Sequence, residues 1–237
     1  KVTTITPEEK LTLSGQIDAL DKAVMRFRTA GKMYWIGVTE QEIVKKGQAL
    51  ARLDPADFDK AVSDAWYNYL AADANAKKIE DDVKDHKNDE SFAQKNTRVA
   101  AQTARDKYYD AWLAARRDLQ DSTLRSPING IVTKISSPQP GVNITAATQA
   151  EFTIVNPDSL YFSAAVDQTE IGKLHEGLTG NLVLDTYPDA TISGQIKNIS
   201  FAPLEDETGT VYEIKFVFPT FQNQYRLGMT GDLTFDK

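Results

Sequence analysis

The stretch "KKGQALARLDPADF", Lys45–Phe58, runs from a glycine turn through a short apolar strand straight into the first turn of a helix. Pro55 suits that first turn, Asp54 precedes it as a cap, and Asp57 and Asp59 lie where the helix dipole favours negative charge. Beyond it, Phe58, Val62, Ala65, Tyr69, Ala72, Ala76, Ile79 and Val83 recur at alternating spacings of four and three, a heptad seam on one helix face. Ala101, Ala104, Tyr108, Trp112, Ala115 and Leu119 repeat the pattern in a second run. The polar break "HKNDES" separates the two, with Asp89 or Ser91 available to cap the second helix. Helices joined by so short a break must return antiparallel. Residues 55–122 therefore read as an α-helical coiled-coil hairpin, about 45 Å long at ~1.5 Å per residue. Val62, Ala72, Tyr108 and Trp112 belong to its seam, where the many alanines allow close approach, and charges of both signs cover the remaining faces.

On either side of the hairpin the period becomes strand-like. "AGKMYWIGV" leads to a second glycine and the strand of "KKGQALARL"; "NGIVTKIS" leads to "PGVNIT" and "FTIV" in the same order. Pseudo-repeats this small cannot each bury a core, so the two halves must pack together. The hairpin is then an insertion between the halves, 15–54 and 123–157, of one small β domain. From residue 158 onward "LYFSAAVD", "GNLVLD", "TISGQIKNISF", "VYEIKFVF" and "MTGDLTF" continue as strands, with Tyr212, Ile214, Phe216 and Phe218 alternating as one buried face should. Together with a short helical "DQTEIGKL" at 167–174, they predict a small β-barrel over 158–237. Residues 1–14 read as a separate N-terminal strand. The expected class is an elongated α+β multidomain protein.

Composition narrows the function. The 237 residues carry a net charge of −7, and a pI near 5.0 argues against a nucleic-acid surface. The absence of cysteine excludes a disulfide scaffold, a thiolate metal site and a cysteine nucleophile. No apolar run approaches the ~18 residues that span a bilayer. His86 and His175 have no neighbouring ligands in sequence, so no metal site is expected, and "DDVKDHKNDE" lacks the central glycine of a calcium loop. The run "LEDETG" at 204–209 reads as a loop between barrel strands. Without a glycine-rich phosphate loop, a Ser–His–Asp arrangement or an HExxH motif, neither an enzyme nor a bound cofactor is expected.

Five pieces carry a resemblance through their order and spacing: "GQIDALDKAVMRFRTAGKM", "VKKGQALARLDPADF", "LRSPINGIV", "GVNIT…FTIVNPDSLYFSAAVDQTEIGKLHEGLTGNLVLDTYP" and "ISGQIKNIS…YEIKFVF…LGMTGDLTF". Over nearly its whole length the chain resembles the membrane fusion, or periplasmic adaptor, proteins of tripartite efflux pumps and type I secretion systems. That resemblance implies a lipoyl-like domain split by an α-hairpin and followed by a β-barrel. It also implies a membrane anchor outside this sequence and a membrane-proximal domain of which residues 1–14 would be a remnant. The implied function is that of a noncatalytic extracytoplasmic adaptor, in the periplasm or on the outer face of the cytoplasmic membrane. Self-association, as a hexamer, would form a ring and a tube on an inner-membrane transporter, of ABC type in preference to a proton-driven one. An outer-membrane channel is the further partner the family implies. The Arg, Leu and Ser that often mediate that docking are not found in "VKDHKNDESFAQKNTR".

Residue by residue, the resemblance makes Lys87, Asn88, Asp89, Glu90 and Ser91 the tip that contacts a partner. Gln139, in "SSPQPG", falls near a position where members serving ABC transporters place a glutamine at a channel constriction. Gln41 stands where the family commonly has glycine, so its turn is expected to take a different conformation. Two alternatives remain. One is a coiled-coil scaffold or adhesion protein of the cell envelope. The other is a lipoyl or biotinyl carrier, whose modifiable lysine would sit on the turn between the halves; the hairpin fills that place, and Lys45 and Lys46 precede a strand.

Overall fold

A computed structural model describes residues 10–84, 90–136, 139–145, 150–204, 209–219 and 224–235. In chain order its strands and helices begin with β1 (Leu11–Ala19), β2 (Lys22–Arg26), β3 (Gly31–Ile36), β4 (Ile43–Val44) and β5 (Ala49–Leu53). The helices α1 (Ala56–Val83) and α2 (Phe92–Asp121) follow, then β6 (Thr123–Arg125), β7 (Gly130–Ser136), β8 (Asn143–Ile144) and β9 (Glu151–Val155). Last come β10 (Leu160–Asp167), β11 (Thr179–Leu184), β12 (Tyr187–Pro203), β13 (Val211–Val217) and β14 (Thr230–Phe235). They divide into two compact units, 23–154 and the pair 1–22 with 155–237. Among the described residues no helix is long and apolar enough to cross a membrane.

In the unit 23–154 the strand before the hairpin does return to its sheet, on the far side of the helices. β5 pairs antiparallel with β6, Ala51 opposite Leu124 and Arg52 opposite Thr123. The helices thus occupy the place of the turn in a β-hairpin. Their root is closed by Leu53 N–H donating to the Ser122 carbonyl at 2.8 Å and Asp54 N–H donating to the Lys32 carbonyl at 2.8 Å.

The pseudo-repeat is physical as well as textual. β3 pairs with β8, Gly31 opposite Ile144 and Lys32 opposite Asn143. β4 pairs with β7 in the equivalent register, Val44 opposite Gly130 and Ile43 opposite Ile131. Each half therefore lends its short strand to the other half's first strand, and the sheets run β2-β9-β7-β4 and β6-β5-β3-β8. Between them Met33, Leu50, Leu53, Val132, Phe152 and Ile154 are fully buried. Because the halves interlock, neither has a core of its own.

The same symmetry corrects the reading of Gln41. Its N–H donates to the Val132 carbonyl at 2.8 Å, as the Gly141 N–H donates to Met33 at 2.7 Å. Glu42 N–H donates to Thr39 at 3.3 Å, as Val142 N–H donates to Gln139 at 3.2 Å. Gln41 is held at φ 70°, in the left-handed region, beside φ 97° at its counterpart Gly141. The turn keeps the glycine conformation without the glycine, since its backbone bonds to β7 leave no other path.

The other unit contains a closed barrel in the order β1-β10-β13-β12-β11-β14. Leu13 and Ile17 of β1, Phe162, Leu182, Ile196, Ile214, Phe216 and Leu233 fill it, and Phe216 meets Phe235 edge-on at 6.4 Å. Ile214, Phe216 and Phe218 are buried and Tyr212 is half-buried. β1 pairs with β10 on one side and with β14 on the other. Residues 11–19 accordingly belong to the barrel: 15–19 are not part of the split domain, and 11–14 are not a separate strand. The reason is edge satisfaction, because β10 and β14 would otherwise present unpaired backbone along their length. The predicted helix at 167–174 is confined to a 3-10 turn, Ile171–Lys173. Of "LEDETG", residues 205–208 lie outside the described residues.

Candidate functional site: the helical hairpin

The hairpin starts with local chemistry. Asp54 accepts the Ala56 N–H at 3.1 Å, standing just outside Pro55, which makes no side-chain cap. Along α1 the eight seam positions from Phe58 to Val83 are half-buried or buried, with Ala76 fully buried, and on α2 Ala101 is buried. Val62, Ala72 and Trp112 are half-buried between the helices. Tyr108 lies at the margin, 41% exposed. Its neighbour Tyr109, equally exposed, has its ring 5.4 Å from Tyr69 of α1 and 5.5 Å from Trp112. Trp66 completes the group at 4.8 Å from Trp112 and 5.3 Å from Tyr69, and the Arg116 guanidinium lies 4.8 Å over Trp112. This cross-helix aromatic cluster was legible as two pairs spaced three apart, Trp66/Tyr69 and Tyr109/Trp112. Further along, Gln102 Nε2 donates to Glu80 Oε1 at 2.6 Å and fixes the register of the helices.

At the tip, Lys87, Asn88 and Asp89, with His86, lie outside the described residues. Glu90 and Ser91 are placed, and both are engaged. Arg98 grips Glu90 with two hydrogen bonds of 2.9 Å, Nε to Oε1 and Nη2 to Oε2. Those bonds hold the Glu90 carboxyl below the usual glutamate range. Ser91 caps α2 in a reciprocal box with Gln94: the Gln94 N–H donates to Ser91 Oγ at 3.3 Å, and the Ser91 N–H to Gln94 Oε1 at 2.9 Å. Among the described tip residues, Phe92 is a large apolar side chain left 80% exposed at the start of α2. Sequence reading missed it, because a lone phenylalanine after a polar break carries no periodic signal.

At the opposite end, Gln139 is exposed and opens the turn that mirrors Thr39–Glu42. Lys45 and Lys46 occupy a turn rather than simply preceding a strand, since the Gln48 N–H donates to the Lys45 carbonyl at 3.0 Å. That turn is bound to the segment after β6, Gly47 N–H donating to Ser126 O at 2.7 Å and Lys46 N–H to Asn129 Oδ1 at 2.8 Å. It is not the connection between the halves, which the helices fill. His175 is exposed, its Nδ1 3.0 Å from the Glu176 carbonyl oxygen.

No protein-family model matches the chain. The macrolide export protein MacA of Yersinia pestis is 22% identical over 254 residues, covering 96% of this chain and 68% of the relative. Among solved structures, the membrane fusion protein Spr0693 from Streptococcus pneumoniae R6 superposes with a TM-score of 0.75 at 20% identity, over 96% of this chain and 99% of that one. A MacA-MexA chimeric protein containing the Pseudomonas aeruginosa MexA α-hairpin domain gives 0.81 at 21% identity, over 97% and 81%. The chain is thus similar in sequence to a macrolide export protein and shares the fold of the membrane fusion proteins.

Proposed function

We propose that this chain is a noncatalytic extracytoplasmic adaptor that couples an inner-membrane transporter to an export conduit. One observation carries the reading: α1 and α2 project from between two adjacent strands of an interlocked β domain, in a fold shared with proteins named for membrane fusion and macrolide export. Nothing in this arrangement moves substrate by chemistry, so the contribution is geometric. Split domains from neighbouring protomers form a ring, a hexamer by analogy with the family, and their hairpins bundle into a tube. The barrel faces the transporter, of ABC type. Gln139, exposed on its turn, lines the constriction of the ring. The tip, Lys87 to Ser91 with the exposed Phe92, meets the next component of the conduit, such as an outer-membrane channel.

The absence of cysteine allows a direct test. Gln139→Cys, treated with a short bismaleimide on cells that also make the transporter, should give a crosslinked dimer, since one thiol per protomer joins protomers only in pairs. Light scattering across concentration should show the mass rising toward six protomers. A monomer under both conditions would overturn the ring. A crosslinked dimer with Val99→Cys on the hairpin, but none with Gln139→Cys, would retain the tube and remove Gln139 from its axis.

A further inference from the structure

The unit 23–154 carries a second feature that the hairpin does not use. On the outer face of β3, β5 and β6, a cleft of about 430 Å³ is lined by Tyr34, Trp35, Ala49, Arg52, Thr123 and Arg125. That volume falls in the range of small-molecule sites, roughly 300–1,000 Å³. Strand register builds it in rows: Trp35 stands opposite Arg52, and Arg52 opposite Thr123; Ala49 stands opposite Arg125. The small side chains Ala49 and Thr123 leave a hollow between two aromatic rings and two guanidinium groups.

Two of these groups, Trp35 and Arg125, are held in place by the backbone. The Trp35 indole lies across Gly37, so closely that a Cβ at residue 37 would come within 1.9 Å of the ring. Backbone contact therefore fixes an indole that is still 43% exposed, and Tyr34 beside it is 63% exposed. Arg125 Nη1 donates to the Gly47 carbonyl at 3.0 Å, which orients its guanidinium and leaves further N–H groups to donate. Arg52 has no ion-pair partner among the described residues. No carboxylate lines the cleft, in a chain whose net charge is −7.

We propose that this cleft is a binding site for a planar aromatic anion, an aryl carboxylate or arenesulfonate, whose ring lies on Trp35 and Tyr34 while its oxyanion is held by Arg52 and Arg125. Guanidinium forks match the geometry of such oxyanions, and a fixed indole supplies ring contact at little cost in lost rotamer freedom. Both halves of the ligand are needed. A neutral aromatic lacks the ionic anchor, and an inorganic anion lacks the stacking surface.

The chain has three tryptophans, so its indole N–H resonances provide one reporter at the site and two, Trp66 and Trp112, in the hairpin as internal controls of folding. The whole chain is titrated with naphthalene-2-sulfonate and, separately, with 2-naphthol. The expected result is a saturable shift of the Trp35 resonance with the sulfonate, at least tenfold weaker binding of the naphthol, and unmoved hairpin resonances. Arg52→Gln alone should weaken sulfonate binding severalfold, and Arg52→Gln with Arg125→Gln at least tenfold. Equal affinity for both probes, binding undiminished by either variant, or shifts confined to Trp66 and Trp112 would overturn the proposal. So would a Trp35 resonance that moves with protein concentration and is insensitive to the sulfonate, since a second copy would then cover this face.

Discussion

Gln41→Gly tests whether the left-handed turn is imposed by the β-domain rather than chosen by its residue. A side chain at φ 70° sets Cβ against the following carbonyl, which costs an L-residue about 1–2 kcal/mol. The Gln41 side chain is exposed and makes no hydrogen bond among the described residues to offset that cost. Glycine removes the strain but adds unfolded-chain entropy, which takes back roughly 0.4–1 kcal/mol. The net gain should be about 0.5–1 kcal/mol, or roughly 1–4 °C in Tm for a chain of this size. The pseudo-symmetric control is Gly141→Gln, which introduces the same strain at φ 97° and should lose a similar amount or more. Urea unfolding followed by Trp35 fluorescence reads the β domain without interference from the helical signal; the background is Trp66→Phe with Trp112→Phe, each variant being compared with that parent. If Gln41→Gly were destabilising while Gly141→Gln were neutral, the backbone bonds to β7 would not be what holds this turn, and the reasoning would fail.

Ala76→Glu should place a carboxylate in the fully buried centre of the seam, at a cost on the order of 3 kcal/mol or more, and collapse the helical circular dichroism signal and assembly together; Ala72→Glu, at a half-buried position, should do so less severely. Helical signal and assembly intact in Ala76→Glu would rule out the seam. For the tip, the Arg98 hydrogen bonds lower the folded pKa of Glu90. Their stabilisation should thus be complete above the unfolded glutamate pKa of about 4.3 and lost as pH falls through the lowered folded value. Carboxyl NMR should show Glu90 titrating below the free value in wild type and near it in Arg98→Gln; identical titration in both would refute the clamp.

Periodicity made the hairpin readable because a seam is a local property: each position from Phe58 to Val83 announces its neighbour. The insertion was readable for a related reason, since "AGKMYWIGV" and "NGIVTKIS" repeat one another. What escaped depended on distant backbone. β1 looks like any amphipathic strand, and only the unpaired edges of β10 and β14 assign it to the barrel. Gln41 looked unfit for a glycine turn because the Val132 carbonyl that compels it is far along the chain. Tyr109, outside the heptad pattern and as exposed as Tyr108, reaches Tyr69 on the other helix, a ring contact that spacing alone does not record. The Trp35–Arg52 row exists only through cross-strand register, so no linear motif records it.

The β5–β6 pairing has a consequence for the order of folding. Joining Leu53 to Thr123 across a disordered chain would mean closing a loop of 69 residues, 54 through 122. Loop-closure entropy makes that about 2.5 kcal/mol costlier than closing a four-residue turn. If the helices form and zip first from local contacts, they deliver the two ends side by side and the distant strands become kinetic neighbours. Ala76→Glu should then slow the refolding phase reported by Trp35 in the same Trp66→Phe, Trp112→Phe background. An unchanged rate would mean that the sheet closes without the helices. On this view the hairpin acts during synthesis as the scaffold on which its own platform is completed, before it projects anywhere.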